Sequence, residues 1–179
     1  GSAALVFTYT VTEGNGDSLD LSVSSYSGTI KNTAGNTAAQ ASGDLGAVII
    51  DANSPTFSSV AATDGTYKVT QIVTIIVTWN QAVVVGTGQN VPTLTLSNGA
   101  SAAYSSGSGS AALVFTYTVA ENDNNSSDLS VSSYSGTITD SAGNTAAAIG
   151  NGDLGTVVID GNSPAFQSVS AADGTYKVG

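Results

Sequence analysis

Two loops carry the side chains best suited to chemistry. Glu13, Asn15, Asp17 and Asp20 stand at spacings of one, three, five and eight. Glu121, Asp123, Asn125 and Asp128 repeat that spacing with acid and amide partly exchanged. Calcium takes roughly six to eight oxygen ligands from carboxylates, amides and carbonyls, and loop residues two apart can converge on one ion. Neither loop is an EF-hand, because the sixth-position glycine and twelfth-position glutamate are missing. A second set is Asp51 and Asn53, matched by Asp160 and Asn162, which Asp64 or Asp173 of the next loop could approach. An ion there would stiffen a junction between modules, and structural Ca2+ is the expected cofactor. Each set also has a plainer reading. The loops can be solvated turns with side-chain-to-backbone bonds, and the second set can simply precede a proline turn. Asp140-Ser-Ala-Gly-Asn144, matched by Asn32-Thr-Ala-Gly-Asn36, reads as a tight turn and not as a ligand set.

Other chemistry is excluded by composition. The 179 residues hold no His and no Cys, so there is no Ser-His-Asp triad, thiolate nucleophile or ordinary zinc site, and no enzyme is expected. Three basic residues against 13 acidic ones give a net charge of −10, which does not suit a nucleic-acid surface. No apolar run is long enough to span a membrane as a helix, so no membrane insertion is expected. The absence of Met suggests a fragment or a processed product.

The residues recur. Gly1 to Val11 reappear unchanged as Gly109 to Val119, and Asp20 to Ile30 as Asp128 to Ile138. After one inserted residue, Gly43 to Gly46 matches Gly152 to Gly155, and Asp64 to Val69 matches Asp173 to Val178. In all, 50 of 70 overlapping positions are identical, at offsets of 108 and then 109. The period of about 108 residues is the size of one β-sandwich domain. Divided at the prolines of Asp51–Pro55 and Asp160–Pro164, residues 53–161 form a complete repeat. Residues 1–52 are the C-terminal part of one before it, and 162–179 begin the next.

Alternation of apolar and polar residues gives the strands. Leu5, Phe7, Tyr9 and Val11, repeated as Leu113, Phe115, Tyr117 and Val119, mark half-buried strands. Val73, Ile75, Val77 and Trp79 share a face assigned to the core, joined by Leu94, Leu96, Val131, Ile138, Val157 and Ile159. Strands are expected near 56–61, 71–79, 93–97, 101–105, 112–119, 129–133 and 156–160, in an all-β, two-sheet sandwich. Residues 1–52 lack a counterpart of the Trp79 strand and are expected to expose an apolar face and strand edges.

In order along the chain come Asp64-Gly-Thr-Tyr-Lys-Val69, Val73 to Val83, Pro92-Thr-Leu-Thr-Leu96, Tyr104 to Gly109, Leu113 to Val119, Asp140 to Asn144 and Val158 to Pro164. This set resembles the tandem bacterial immunoglobulin-like repeats of large surface adhesins and biofilm-associated proteins. The resemblance implies tandem immunoglobulin-like β-sandwich modules, extracellular or at the bacterial cell surface, acting as spacers or adhesive units and often stiffened by calcium. Two positions depart from the family. Its usual Gly-Asp is Thr70-Gln71 here, and its usual acidic residue before Ala-Val is Gln81.

The expected function is therefore a non-enzymatic stalk or spacer in adhesion or biofilm cohesion, with neighbouring repeats of the same protein as partners. The alternative is a subunit of an extracellular filament or sheath, whose copies complete one another by strand addition. A glycan-binding module ranks third.

Overall fold

The computed structural model describes residues 4–40, 42–177 and 179. Within them the chain is nearly all β, and its one helical element is a 3-10 turn at Gly88–Asn90. The strands are β1 (Ser22–Val23), β2 (Gly43–Asp44), β3 (Phe57–Ala62), β4 (Gly65–Lys68), β5 (Ile72–Val85) and β6 (Thr93–Leu96). They continue with β7 (Ser101–Ser106), β8 (Ser110–Thr118), β9 (Ser130–Ser135), β10 (Ile138–Thr139), β11 (Gly152–Asp153) and β12 (Val157–Asp160).

One 14-residue strand organises the rest. β5 is rich in Val and Ile, which favour a pleated surface, and its odd-numbered positions from Val73 to Trp79 are buried while the even ones face out. Its first half is flanked by β3 and β8, both antiparallel. Past a register shift between Thr78 and Val83, Val83 still pairs with Ser110 of β8, while β10 takes the place of β3, Ile138 opposite Val85. The sheet runs β10-β5-β8-β7-β6-β9-β11, with β3 on β5. Its far edge returns to its near one, because a Cβ built on Gly152 of β11 would lie 2.6 Å from Cγ1 of Val60 in β3. β12 and β4 form a parallel pair beside it. The result is sandwich-like, close to a barrel.

The core follows from that closure. Trp79 lies edge-on between Phe57 and Tyr134, with ring centroids 6.3 and 6.0 Å away, and Tyr104 meets Phe115 at 5.8 Å. Leu94, Leu96, Leu113, Val131, Ile138, Val157 and Ile159 complete it, all at the inward positions expected from alternation. Five short strands escaped the sequence reading: β1, β2, β4, β10 and β11. β4 exposes most of its residues, and β1, β2, β10 and β11 are two residues long, so none shows an apolar period.

Residues 5–11 depart from expectation. Although identical in sequence to 113–119, they form no strand, and Phe7 is 77% exposed where Phe115 is 0%. β8 owes its ladder to β5 on one side and β7 on the other. Among the described residues nothing flanks 5–11 in that way, so the same sequence lacks the partners that make a strand.

Thr70, at the turn between β4 and β5, holds φ at 74°, in the left-handed region that favours glycine. The turn needs that angle: Gln71 N donates to Lys68 O, and Thr70 N donates to Val119 O at 2.8 Å. The expected result for Thr70→Gly is therefore a gain of about 1 kcal/mol, read from denaturant midpoints, whereas Thr70→Ala should show no gain.

Candidate functional site

Part of each oxygen-rich set meets at one place, the linker Asp51–Pro55, where Glu13 and Asp17 reach residues 52–54. Glu13 reaches forward from the first loop. Its Oε1 accepts from Ser54 N at 3.1 Å and its Oε2 from Ser54 Oγ at 2.7 Å. Oδ1 of Asp17 accepts from Ala52 N at 2.9 Å and from Asn53 Nδ2 at 2.8 Å. Gly14 N closes the arrangement by donating to Ala52 O. The loop can present these groups because Asn15 caps its turn, its Oδ1 accepting from Thr12 N and from the Tyr9 hydroxyl.

The linker is also held from the side that follows it. Gln81 Nε2 donates to Asn53 O at 3.0 Å, and Asn144 Nδ2 donates to Asp51 O at 3.2 Å. Ala147 N donates to Pro55 O, and Thr56 exchanges bonds with Asn80 through its N and O. Asp140 anchors this side. Its Oδ1 accepts from the N–H groups of Ala142, Gly143 and Asn144, each at 2.9 Å, and its Oδ2 accepts from Asn144 Nδ2 at 2.9 Å. The turn expected at Asp140–Asn144 is present, and it also grips the linker.

The first half of this clasp recurs one repeat on. Glu121 accepts from Ser163 N at 3.0 Å and Ser163 Oγ at 2.6 Å. Asn125 Oδ1 accepts from Gly161 N at 2.8 Å and Asn162 Nδ2 at 2.9 Å. Asp17 and Asn125 make the same two bonds, so the position requires an acceptor oxygen and tolerates either charge state. The bonds to Ser163 hold the Glu121 carboxyl below its ordinary range, and those from Ala52 and Asn53 do the same for Asp17.

The remaining sequence candidates lie elsewhere. Asp123 faces inward, its Oδ2 accepting from the Tyr117 hydroxyl at 2.8 Å and from Ala120 N at 2.7 Å. Burial and that bond push the Tyr117 phenol up to about 12. Asp64 Oδ1 accepts from Thr156 N at 2.8 Å, where it fastens β4 beside β12 and away from the linker. Asp51 and Asp160 accept from Asn53 N and Asn162 N, two residues on. Asp128 is exposed in its loop, and Asp173 lies in the exposed segment 162–177. Gln81 was not among the expected site residues, since a single amide in a strand carries no spacing signal, and Asp140 and Asn144 were expected only as parts of a turn.

A calcium cage needs oxygens converging on one point with no protons between them. Among the described residues no three acidic side chains converge in this way. At the joint the acceptor oxygens are met by N–H and O–H donors. Gln81 places its amide nitrogen between Asn53 O and Asp140 Oδ2, and so already supplies the positive end that a cation would bring there. The donor set suits a hydrogen-bonded clasp better than a cation site.

Among the described residues no helix is long and apolar enough to cross a membrane. No protein-family model matches the chain, and no match is found among curated proteins or among solved structures.

Proposed function

We propose that this chain is a non-enzymatic spacer: tandem immunoglobulin-like sandwiches joined by hydrogen-bonded clasps, part of a long bacterial cell-surface or secreted protein in adhesion or biofilm cohesion. The observation that carries this reading is the linker 51–55, held by Glu13 and Asp17 from one side and by Gln81 and Asn144 from the other. A freely jointed array needs none of these bonds, whereas an array that projects something away from a surface needs most of its joints stiff. The clasp requires no ion, so EDTA and millimolar calcium should give the same joint.

The test uses the absence of native cysteine. Spin labels on Ser24→Cys and Ser132→Cys, matching positions on either side of the joint, should give one narrow distance distribution. Glu13→Ala with Asp17→Ala should broaden it several-fold while leaving the main melting transition in place. Acid should do the same. The Asp17 carboxyl is depressed in the fold, so its contribution is present above the ordinary carboxylate range and is lost as pH falls through and below it. A broad distribution in the unmodified chain at neutral pH would rule out the stiff spacer.

A further inference from the structure

An asparagine followed by glycine is the step of a chain most open to loss of its side-chain amide. A residue without Cβ lets its own backbone nitrogen approach the side-chain carbon before it. The chain has three such steps, Asn15-Gly16, Asn98-Gly99 and Asn151-Gly152. The fold closes two of them. Asn98 is buried, its Nδ2 donating to the Tyr117 hydroxyl and to Asn124 O and its Oδ1 accepting from Ala100 N. Gly99 N is itself committed to Leu96 O at 3.0 Å. Gly152 is buried in β11 opposite Val131, with Val60 packed over it and no room for the chain to fold back.

Asn15-Gly16 is open on each count. Gly16 is exposed, and a Cβ built on it meets nothing within 4 Å. Among the described residues neither Gly16 N nor Asn15 Nδ2 has a hydrogen-bond acceptor. Oδ1 of Asn15, by contrast, accepts from Thr12 N at 2.7 Å, from the Tyr9 hydroxyl at 2.9 Å and from Thr12 Oγ1 at 3.1 Å. Donors gathered on a carbonyl oxygen stabilise the oxyanion that forms when its carbon is attacked. The complete repeat holds the same arrangement. Asp123, the copy of Asn15, is half-buried as Asn15 is, and its Oδ2 accepts from the Tyr117 hydroxyl and from Ala120 N. The second repeat therefore already carries the acid that Asn15 becomes when its amide is lost.

We propose that Asn15-Gly16 is a self-modifying site that turns Asn15 into an acid with time. Gly16 N gives its proton to solvent and bonds to Cγ of Asn15, and the Cγ–Nδ2 bond breaks with Nδ2 leaving as ammonia. Water then opens the cyclic imide at one of its two carbonyls. Opening at Cγ gives aspartate, which keeps the bonds that Asp123 makes. Opening at the main-chain carbonyl gives isoaspartate, in which the backbone runs through Cβ. That adds one backbone bond between Glu13 and Asp17, the two carboxylates that hold linker residues 52–54. The joint at 51–55 thus ages by a route closed to the joint at 160–164, where position 123 is an acid from the start. The chemistry rests on contacts within residues 9–17 and not on the spacer reading.

The test is to hold the full chain at mildly alkaline pH in water enriched in heavy oxygen, and to map ammonia loss and label by peptide mass spectrometry. Asn15 should convert at least about tenfold faster than Asn98 or Asn151, to aspartate and isoaspartate, each carrying the label. In urea the three sites should react alike, because the difference belongs to the fold. Gly16→Ala fits the open space and should slow the conversion by about tenfold. Tyr9→Phe with Thr12→Val removes two donors from Oδ1 and should slow it several-fold with an unchanged circular dichroism spectrum. An intact Asn15 beside a converted Asn98 or Asn151, equal rates at the three sites in the folded chain, or an Asn15 rate indifferent to the Tyr9 and Thr12 substitutions would each overturn the proposal.

Discussion

Phe115→Ala is expected to destabilise the protein by about 3–5 kcal/mol, whereas Phe7→Ala, the same residue in the same eleven-residue sequence, should change stability by less than about 0.5 kcal/mol. Phe115 is fully buried on β8 against Tyr104, and its loss leaves a cavity in the core. Phe7 is mostly in water, and nothing collapses when it is shortened. Denaturant unfolding followed by tryptophan fluorescence makes the comparison clean, because Trp79 is the one tryptophan and belongs to the same core. Equal losses from the two variants would show that residues 5–11 are packed as a strand in solution.

Asp140→Ala should be the most damaging polar substitution, at about 3 kcal/mol or more, and should loosen the joint as well. The carboxylate is 5% exposed and accepts from the N–H groups of Ala142, Gly143 and Asn144 and from the side chains of Asn144 and Gln81. Removing it leaves those donors facing a void. Asp140→Asn keeps the bonds at one oxygen but turns an NH2 toward the amides of Gln81 and Asn144, and should cost about 1–2 kcal/mol. Asn32 performs the same local task in an exposed turn, its Oδ1 accepting from Ala34 N and Asn36 N, so Asn32→Ala should cost about 1 kcal/mol or less. Thermal melts of the three variants give the order. A small loss for Asp140→Ala would mean that water reaches the site and replaces the carboxylate.

Strand positions inside residues 53–161 were legible because burial on one face imposes a period of two, and every large residue from Val73 to Trp79 obeys it. The strand on residues 5–11 was misread for the same reason. Periodicity records what a segment suits, and pairing depends on what lies beside it. The acceptors Glu13, Asp17, Glu121 and Asn125 were legible as oxygen-bearing residues at a repeated spacing. Their partners were not, because Ser54 and Ser163 lie more than 40 positions away and nothing in a serine's context announces a carboxylate. Gln81 and Asn144 were hidden for the same reason, since their contacts with the linker are made only once the sheet has closed.

The identity of residues 1–11 with 109–119 has a consequence for how the chain folds. Both stretches fit the slot between β5 and β7, so during folding they compete for it. Connectivity breaks the tie. β8 follows β7 across Gly107–Gly109, where Ser110 N donates back to Gly107 O, whereas residues 5–11 can reach β5 only by closing a loop of about 60 residues. At roughly 0.6 kcal/mol per doubling of loop length, that handicap is about 2–3 kcal/mol, a preference of roughly 30- to 160-fold for the local copy. Duplication thus leaves an internal rival for the core that local connectivity holds to about one molecule in thirty or fewer.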